Sequence, residues 1–268
     1  MPEIFQYDFM RRALIIAAVI GIIAPCIGTP IVLKRLSAIG DATSHSALAG
    51  IAAGLVFGVN PIIGAVVFAV LAVMGIELMR KAFGKYSEIA TVVVMSAGIG
   101  LTAVLSGFIV NGSSNLNSFL FGSIVAISDF DLYFTLALGA VVIIVSLALY
   151  KELFFVTFDE EAAKLAGVNT GMVNLVIMLL TAVTVAAASR IVGALMISSL
   201  LVIPVAAAMM CAGSYKQVSI LSVAFAEIFT ISGLIISYYL DLRPGGTIVL
   251  LGVLFLIIVT LLTRRRRI

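Results

Sequence analysis

The chain has 268 residues, of which 63% are hydrophobic and only 11% charged, with a net charge of +3 and a mean hydropathy of +1.27. A soluble domain is about 25% charged, so the composition excludes a water-soluble enzyme and leaves no polar stretch large enough for a separate catalytic domain. The positive charges sit in flanks without interleaved aromatics, which excludes a nucleic-acid partner.

Apolar runs of about 20 residues recur along nearly the whole length, predicting an all-α polytopic membrane protein with residues 1–268 forming one transmembrane domain. The first run, Ala13 to Leu33, is too long for the core of a secretory signal and reads as a retained span, with Pro25 and Pro30 marking kinks or hinges. Ala38 to Val59, Ile62 to Met79 and Ile89 to Val110 follow. Next, Leu116 to Ile127 is too short to cross, and Asn111-Gly112-Ser113-Ser114-Asn115 before it reads as a loop, which predicts a re-entrant or interfacial helix. Leu132 to Tyr150, Met172 to Ala188, Ile191 to Ala212 (with Pro204 inside), Val218 to Leu240 and Thr247 to Thr263 complete nine expected transmembrane helices. Cys26 and Cys211 fall inside apolar runs and read as small buried residues, and Met196, Met209 and Met210 read as packing.

Charge placement predicts the orientation. With the N-terminus outside, the cytoplasmic flanks hold Lys34, Arg35, Arg80, Lys81, Lys85, Lys151, Lys164, Lys216 and Arg264 to Arg267, twelve of the sixteen Lys and Arg residues. Arg11, Arg12, Arg190 and Arg243 remain outside, so N-out and C-in is the expected arrangement.

Between the fifth and sixth spans, Thr157-Phe158-Asp159-Glu160-Glu161 opens a short cytoplasmic helix near residues 157–168. Thr157 and Glu160 have the spacing of a capping box, acids crowd the first turn, and Gly167 can stop the helix. Phe158, Ala162, Leu165 and Ala166 share a face. A partner-protein groove suits such a helix better than an anionic lipid leaflet does.

The second span carries the only histidine of the chain. Asp41 and His45 are four residues apart, so carboxylate and imidazole stack on one helix face. Ionisable groups within a bilayer cost roughly 3 kcal/mol each and usually line a substrate or ion path. The pair suits Mn²⁺, Zn²⁺ or Fe²⁺ rather than Cu(I), and two ligands are too few for a permanent structural site. A hydrogen bond that merely locks the helix, or a proton relay, are the other readings of the pair. Beside it runs a stripe of small residues, Ala42, Ser46, Gly50 and Gly54, spaced for close helix packing. Glu227 lies about nine residues into the eighth span, where it either extends the ion path or hydrogen-bonds along its own helix. Glu77 and Glu88 fit interfacial ion pairs near Arg80, Lys81 and Lys85. No Gly-x-x-x-x-Gly-Lys-Ser/Thr motif is present, so the chain does not cradle a nucleotide phosphate in a P-loop.

Several segments together resemble the permease subunits of the bacterial ABC importers for manganese, zinc and iron. They are Lys34-Arg35-Leu36-Ser37 with Gly40-Asp41-Ala42-Thr43-Ser44-His45-Ser46-Ala47-Leu48-Ala49-Gly50, then Leu120-Phe121-Gly122-Ser123-Ile124 and Asp159-Glu160-Glu161. Val192-Gly193-Ala194-Leu195-Met196-Ile197 leading to Pro204, and Pro244-Gly245-Gly246-Thr247-Ile248-Val249-Leu250, complete the set. The resemblance implies a subunit of the bacterial plasma membrane that pairs with a second copy of itself. It also implies two cytoplasmic ATP-binding subunits and an extracellular metal-binding protein, with lipid around the bundle and no permanently bound cofactor. By the same resemblance Asp41 and His45 are metal-coordinating residues of the translocation path. Asp159, Glu160, Glu161, Leu165 and Gly167 belong to the helix that couples to the ATPase. Transport, not catalysis, is the expected activity. A siderophore or haem importer and a proton-coupled carrier relaying through Asp41, His45 and Glu227 are the alternatives; an intramembrane metalloprotease fits less well because it needs a fuller ligand set.

Overall fold

The computed structural model of the chain describes residues 7–109, 113–125 and 127–265. It contains α1 (Asp8–Leu33), α2 (Ala38–Phe57), α3 (Pro61–Phe83), α4 (Ser87–Ser106), α5 (Ser113–Phe121), α6 (Asp129–Ala148), α7 (Tyr150–Phe158), α8 (Glu160–Leu165), α9 (Thr170–Ala188), α10 (Ile197–Cys211), α11 (Tyr215–Tyr239) and α12 (Pro244–Arg265), with no strand among the described residues. α1 and α9 form the centre: their most apolar windows are 67% and 72% buried, against 17% for α4. α1 packs on α11, α10, α6 and α9, while α2 packs on α3, α4 and α9.

Among the described residues, seven helices are long and apolar enough to cross a membrane, rather than the nine expected. The two that fall short are α2 and α10. α2 has 20 residues, about 30 Å of rise, but its first third is Gly40, Asp41, Thr43, Ser44, His45 and Ser46. It is buried among other helices along most of its length, so it has little need of an apolar surface. α10 has only 15 residues because the chain preceding it, Ser189–Gly193, winds as a π-helix and then turns before the helix begins.

Pro25 and Pro30 do not interrupt α1, and Pro204 does not interrupt α10. The stretch of α1 around the two prolines is buried, and a Cβ at Gly28 would stand 2.1 Å from the Leu201 carbonyl oxygen of α10. Packing at that distance holds the helix course where two backbone hydrogen bonds are missing.

Two local expectations need correction. Ser113 to Asn115, read as loop, lie within the α5 helix, and α5 ends at Phe121 because Gly122 takes a φ of +80°. Val110, Asn111, Gly112, Ala126, Arg266 and Arg267 lie outside the described residues. Thr157 does not cap α8: it sits in the last turn of α7 and its hydroxyl donates to the Leu153 carbonyl at 2.5 Å. Asp159 is the cap, accepting from the Ala162 amide at 2.8 Å. Thr157 is held in helical backbone within α7, whereas an N-cap needs the extended backbone that Asp159 has, with a φ of −148° and a ψ of 94°.

Candidate metal path and coupling helix

On α2, Thr43, Ser44 and Ser46 donate their hydroxyls to the carbonyls of Ile39, Gly40 and Ala42 at 2.6, 2.8 and 2.9 Å. Their polarity is satisfied within the helix. Asp41 is exposed and His45 half-buried, and neither has a hydrogen bond or ion pair to another described residue. The locking hydrogen bond between them is therefore not formed. What remains is a carboxylate and an imidazole on one face with their ligand atoms uncommitted.

The small-residue stripe meets two different helices. A Cβ at Gly50 would lie 2.1 Å from the Gly64 carbonyl oxygen of α3, and one at Gly54 would lie 2.8 Å from Cα of Pro61. Ser46 instead faces α4, where a Cβ at Gly98 would stand 2.8 Å from the Ser46 amide nitrogen and 2.9 Å from the His45 carbonyl carbon. Ala42 is fully buried. Backbone contact on both sides fixes the register of α2 and so the direction of its polar face.

Glu227 stands elsewhere. It lies between α11 and α1, where its Oε1 would be 2.7 Å from a Cβ at Gly21. That oxygen is buried without a hydrogen-bond partner. The described residues hold no group of three His, Cys, Asp or Glu side chains placed to share a metal ion, so Glu227 does not join Asp41 and His45 within one chain.

At the end of the bundle where α1 finishes and α2 begins, α8 is anchored by buried Ala163, while Leu165 is 91% exposed and Phe158, at the end of α7, 61% exposed. Gly167, at a φ of +87°, closes the helix as its amide reaches the Lys164 carbonyl at 3.0 Å and the Val168 amide reaches that of Ala163 at 3.0 Å. Asp159 is occupied as the cap, and Glu161 is exposed. Glu160 turns inward: Lys34 Nζ contacts its Oε2 at 3.3 Å and Asn174 Nδ2 donates to its Oε1 at 3.2 Å. Lys34 Nζ also donates to Asn174 Oδ1 at 2.5 Å. Burial lowers the Lys34 ammonium below the usual lysine pKa, with the Glu160 carboxylate opposing that shift.

Sequence reasoning assigned no role to the junction at the end where α1 begins. Here three of the segments that carried the resemblance converge. A Cβ at Gly122 would meet the Ile191 carbonyl oxygen at 1.8 Å, one at Gly193 the Leu120 carbonyl oxygen at 2.5 Å, and one at Gly245 the Val192 carbonyl oxygen at 1.8 Å. The Ser123 amide donates to the Arg190 carbonyl at 3.1 Å and the Ala194 amide to the Phe119 carbonyl at 2.8 Å. Arg190 Nε pairs with the buried Asp131 carboxylate at 3.2 Å and its guanidinium lies 4.5 Å from the Phe119 ring centre. Asp131 also completes a reciprocal cap with Ser128 at the start of α6. The signal was present as Gly-rich segments and as Ser128-x-x-Asp131, but their mutual distance in sequence hid the junction.

The ABC 3 transport family matches residues 6–263 of the chain. The chain belongs to that family. Among ABC 3 relatives, a "Probable metal transport system membrane protein" of Treponema pallidum is 35% identical over 262 residues, 97% of each chain. The manganese import system permease protein ScaB of Streptococcus parasanguinis is 32% identical, covering 98% of this chain and 93% of that one. The solved structure of PsaBC from Streptococcus pneumoniae in complex with Fab contains a chain with the same fold. Its TM-score is 0.85 at 32% identity, and the match covers 96% of this chain and 92% of that chain. This member of the ABC 3 family is thus an all-helical, multi-pass membrane protein with a polar, uncommitted α2 face.

Proposed function

We propose that this chain is the permease subunit of an ATP-driven importer of a divalent transition metal, with manganese the substrate. The observation that carries the reading is the Asp41 and His45 pair: both lie on a helix whose other polar side chains are bonded back to their own backbone. A carboxylate and an imidazole suit Mn²⁺, and a site short of a full ligand set suits an ion that must leave again. The names of the relatives from Streptococcus support manganese over zinc or iron.

The energy comes from separate ATP-binding subunits, since the chain has no P-loop, and α8 docks in their groove through exposed Leu165, flanked by exposed Phe158 at the end of α7. A metal-binding protein delivers the ion from outside, and a second copy of the chain completes the path, in keeping with a pair of ligands too few for a site alone. We read nine crossings, counting α2 and α10, with the N-terminus outside a bacterial plasma membrane. Three of the four arginines left outside by this arrangement are ion-paired, which supports it: Arg11 with Asp8 at 2.6 Å, Arg12 with Asp129 at 2.8 Å and Arg190 with Asp131, while Arg243 lies over the Phe121 ring. Closure of the ATPase moves α8, the bundle opens toward the loaded binding protein, and the ion passes Asp41 and His45 inward. Glu227 serves as a separate stop, its buried Oε1 able to accept a cation.

Manganese uptake into liposomes holding the assembled transporter tests this. Asp41→Ala and His45→Ala, assembled with their partners in normal amounts, lower the uptake rate roughly tenfold to a hundredfold. Wild-type uptake by both variants would sink the assignment, and uptake by the permease without ATP or partners would favour a proton-coupled carrier instead.

A further inference from the structure

Lys34, at the C-terminal cap of α1, is more than 120 residues from Glu160, the first residue of α8, and from Asn174, in the first third of the next helix, α9. Their contacts close a ring. Lys34 Nζ reaches Glu160 Oε2 at 3.3 Å and Asn174 Oδ1 at 2.5 Å, and Asn174 Nδ2 returns to Glu160 Oε1 at 3.2 Å. The Lys34 side chain is only 11% exposed, so the ammonium has little water in place of these partners. Glu160 is 38% exposed and has Lys164 at 3.8 Å as a second partner, so it is the Lys34 ammonium, more than the carboxylate, that loses by the break.

The ring's position gives it a role. Lys34 is separated from α2 by Arg35, Leu36 and Ser37 alone, and that turn is tight: Arg35 has a φ of +59° and the Leu36 amide donates to the Ile31 carbonyl at 2.9 Å. Leu36 packs against both large apolar clusters of the bundle. Beside the ring lies an open cleft of about 390 Å³, lined also by Glu77, Arg80 and Gly84, which separates Lys34 from α3. A displacement of α8 therefore reaches α2, and with it Asp41, through one polar joint and a short stiff turn.

We propose that the Lys34, Glu160 and Asn174 ring is the joint that transmits motion of α8 to the α1–α2 turn and the Asp41 and His45 face, so that its loss separates ATP hydrolysis from metal movement. These are positioning residues, and the proposal rests on α8 being the helix that docks on the ATPase. Coupling of this kind is established by showing that an element biases both sites, not by its lying between them.

The test uses the complete transporter in liposomes with its ATP-binding subunits and metal-binding protein, following phosphate release and manganese uptake together. Lys34→Met and Glu160→Gln are expected to hydrolyse ATP within about twofold of wild type while moving roughly tenfold less manganese per ATP. Lys34→Arg keeps most of the ratio, and the reversed pair Lys34→Glu with Glu160→Lys recovers more of it than either change alone. An unchanged ratio in the single variants would overturn the proposal, as would hydrolysis and uptake falling in step or a reversed pair no better than its parts. Leu165→Asp, which touches the exposed face of α8 and not the ring, reports separately on docking. Normal ATPase assembly and uptake in that variant would refute the docking reading, whereas a changed ratio with assembly intact in the Lys34 and Glu160 variants supports the joint.

Discussion

Thr43, Ser44 and Ser46 show how a membrane helix carries polar residues without making them functional. Each hydroxyl donates its proton to a carbonyl one turn back, a bond local to the helix, and the neutral oxygen left is a far weaker ligand for a divalent cation than a carboxylate or an imidazole. Asp41 cannot donate to a carbonyl at all, the His45 ring makes no such bond although an imidazole N–H could, and neither side chain has a partner among the described residues. The distinction predicts opposite behaviour from neighbours in the sequence. Ser44→Ala removes only a self-satisfying bond of about 1 kcal/mol or less, and manganese uptake by this variant is expected to stay within about twofold of wild type, unlike the Asp41 and His45 variants.

At the scale of elements, α2 is held by backbone contact rather than by side-chain bulk. A Cβ at Gly50 would overlap the Gly64 carbonyl oxygen, and because the obstacle is backbone on a packed helix, neither side can step aside cheaply. Gly50→Val is expected to destabilise the protein by about 3 kcal/mol or more, read as a lower melting temperature of the detergent-solubilised protein. The pattern Ala42, Ser46, Gly50 and Gly54 made this packing legible, since small residues at helical spacing admit few other uses in a span. Which helix each would meet was not legible: Ser46 turned out to face α4 and Gly50 to face α3. The short helix α8 was legible from its acids and Gly167, but its cap moved from Thr157 to Asp159 because the preceding helix α7 runs further than a sequence pattern could reveal. The inward turn of Glu160 was equally hidden, as it depends on Lys34 from a distant segment and on the way α9 folds back to bring Asn174 beside it. The weak apolarity of α2 has a related reason: the helix is surrounded by protein and has little surface to offer to lipid.

For the whole molecule, polar anchors stand at both ends and apolar packing lies between them. At one end the Lys34 ring ties α1, α8 and α9; at the other, Arg190 and Asp131 tie the turn before α10 to the start of α6. Asp131 is 5% exposed and Arg190 20%, so the second anchor belongs to the costly class of ion pairs when broken from one side. Arg190→Met is expected to cost about 3 kcal/mol, and pairing it with Asp131→Asn should lose less than the two single losses together. Thermal unfolding of the four proteins in detergent measures that difference, and simple additivity would show that the contact carries no energy of its own.

The junction of Gly122, Gly193 and Gly245 also sets a schedule for biogenesis. α5 ends against a turn supplied by residues 191–194 and by the start of α12, so its seat does not exist when it leaves the ribosome. The contact closes only once the final helix has been synthesised, which makes this a late, long-range step in assembly. Until then the Val192 carbonyl lacks the Gly245 backbone that packs on it, whereas the Ile191 carbonyl already has Gly122, so the junction is half built before α12 arrives and finished only by it.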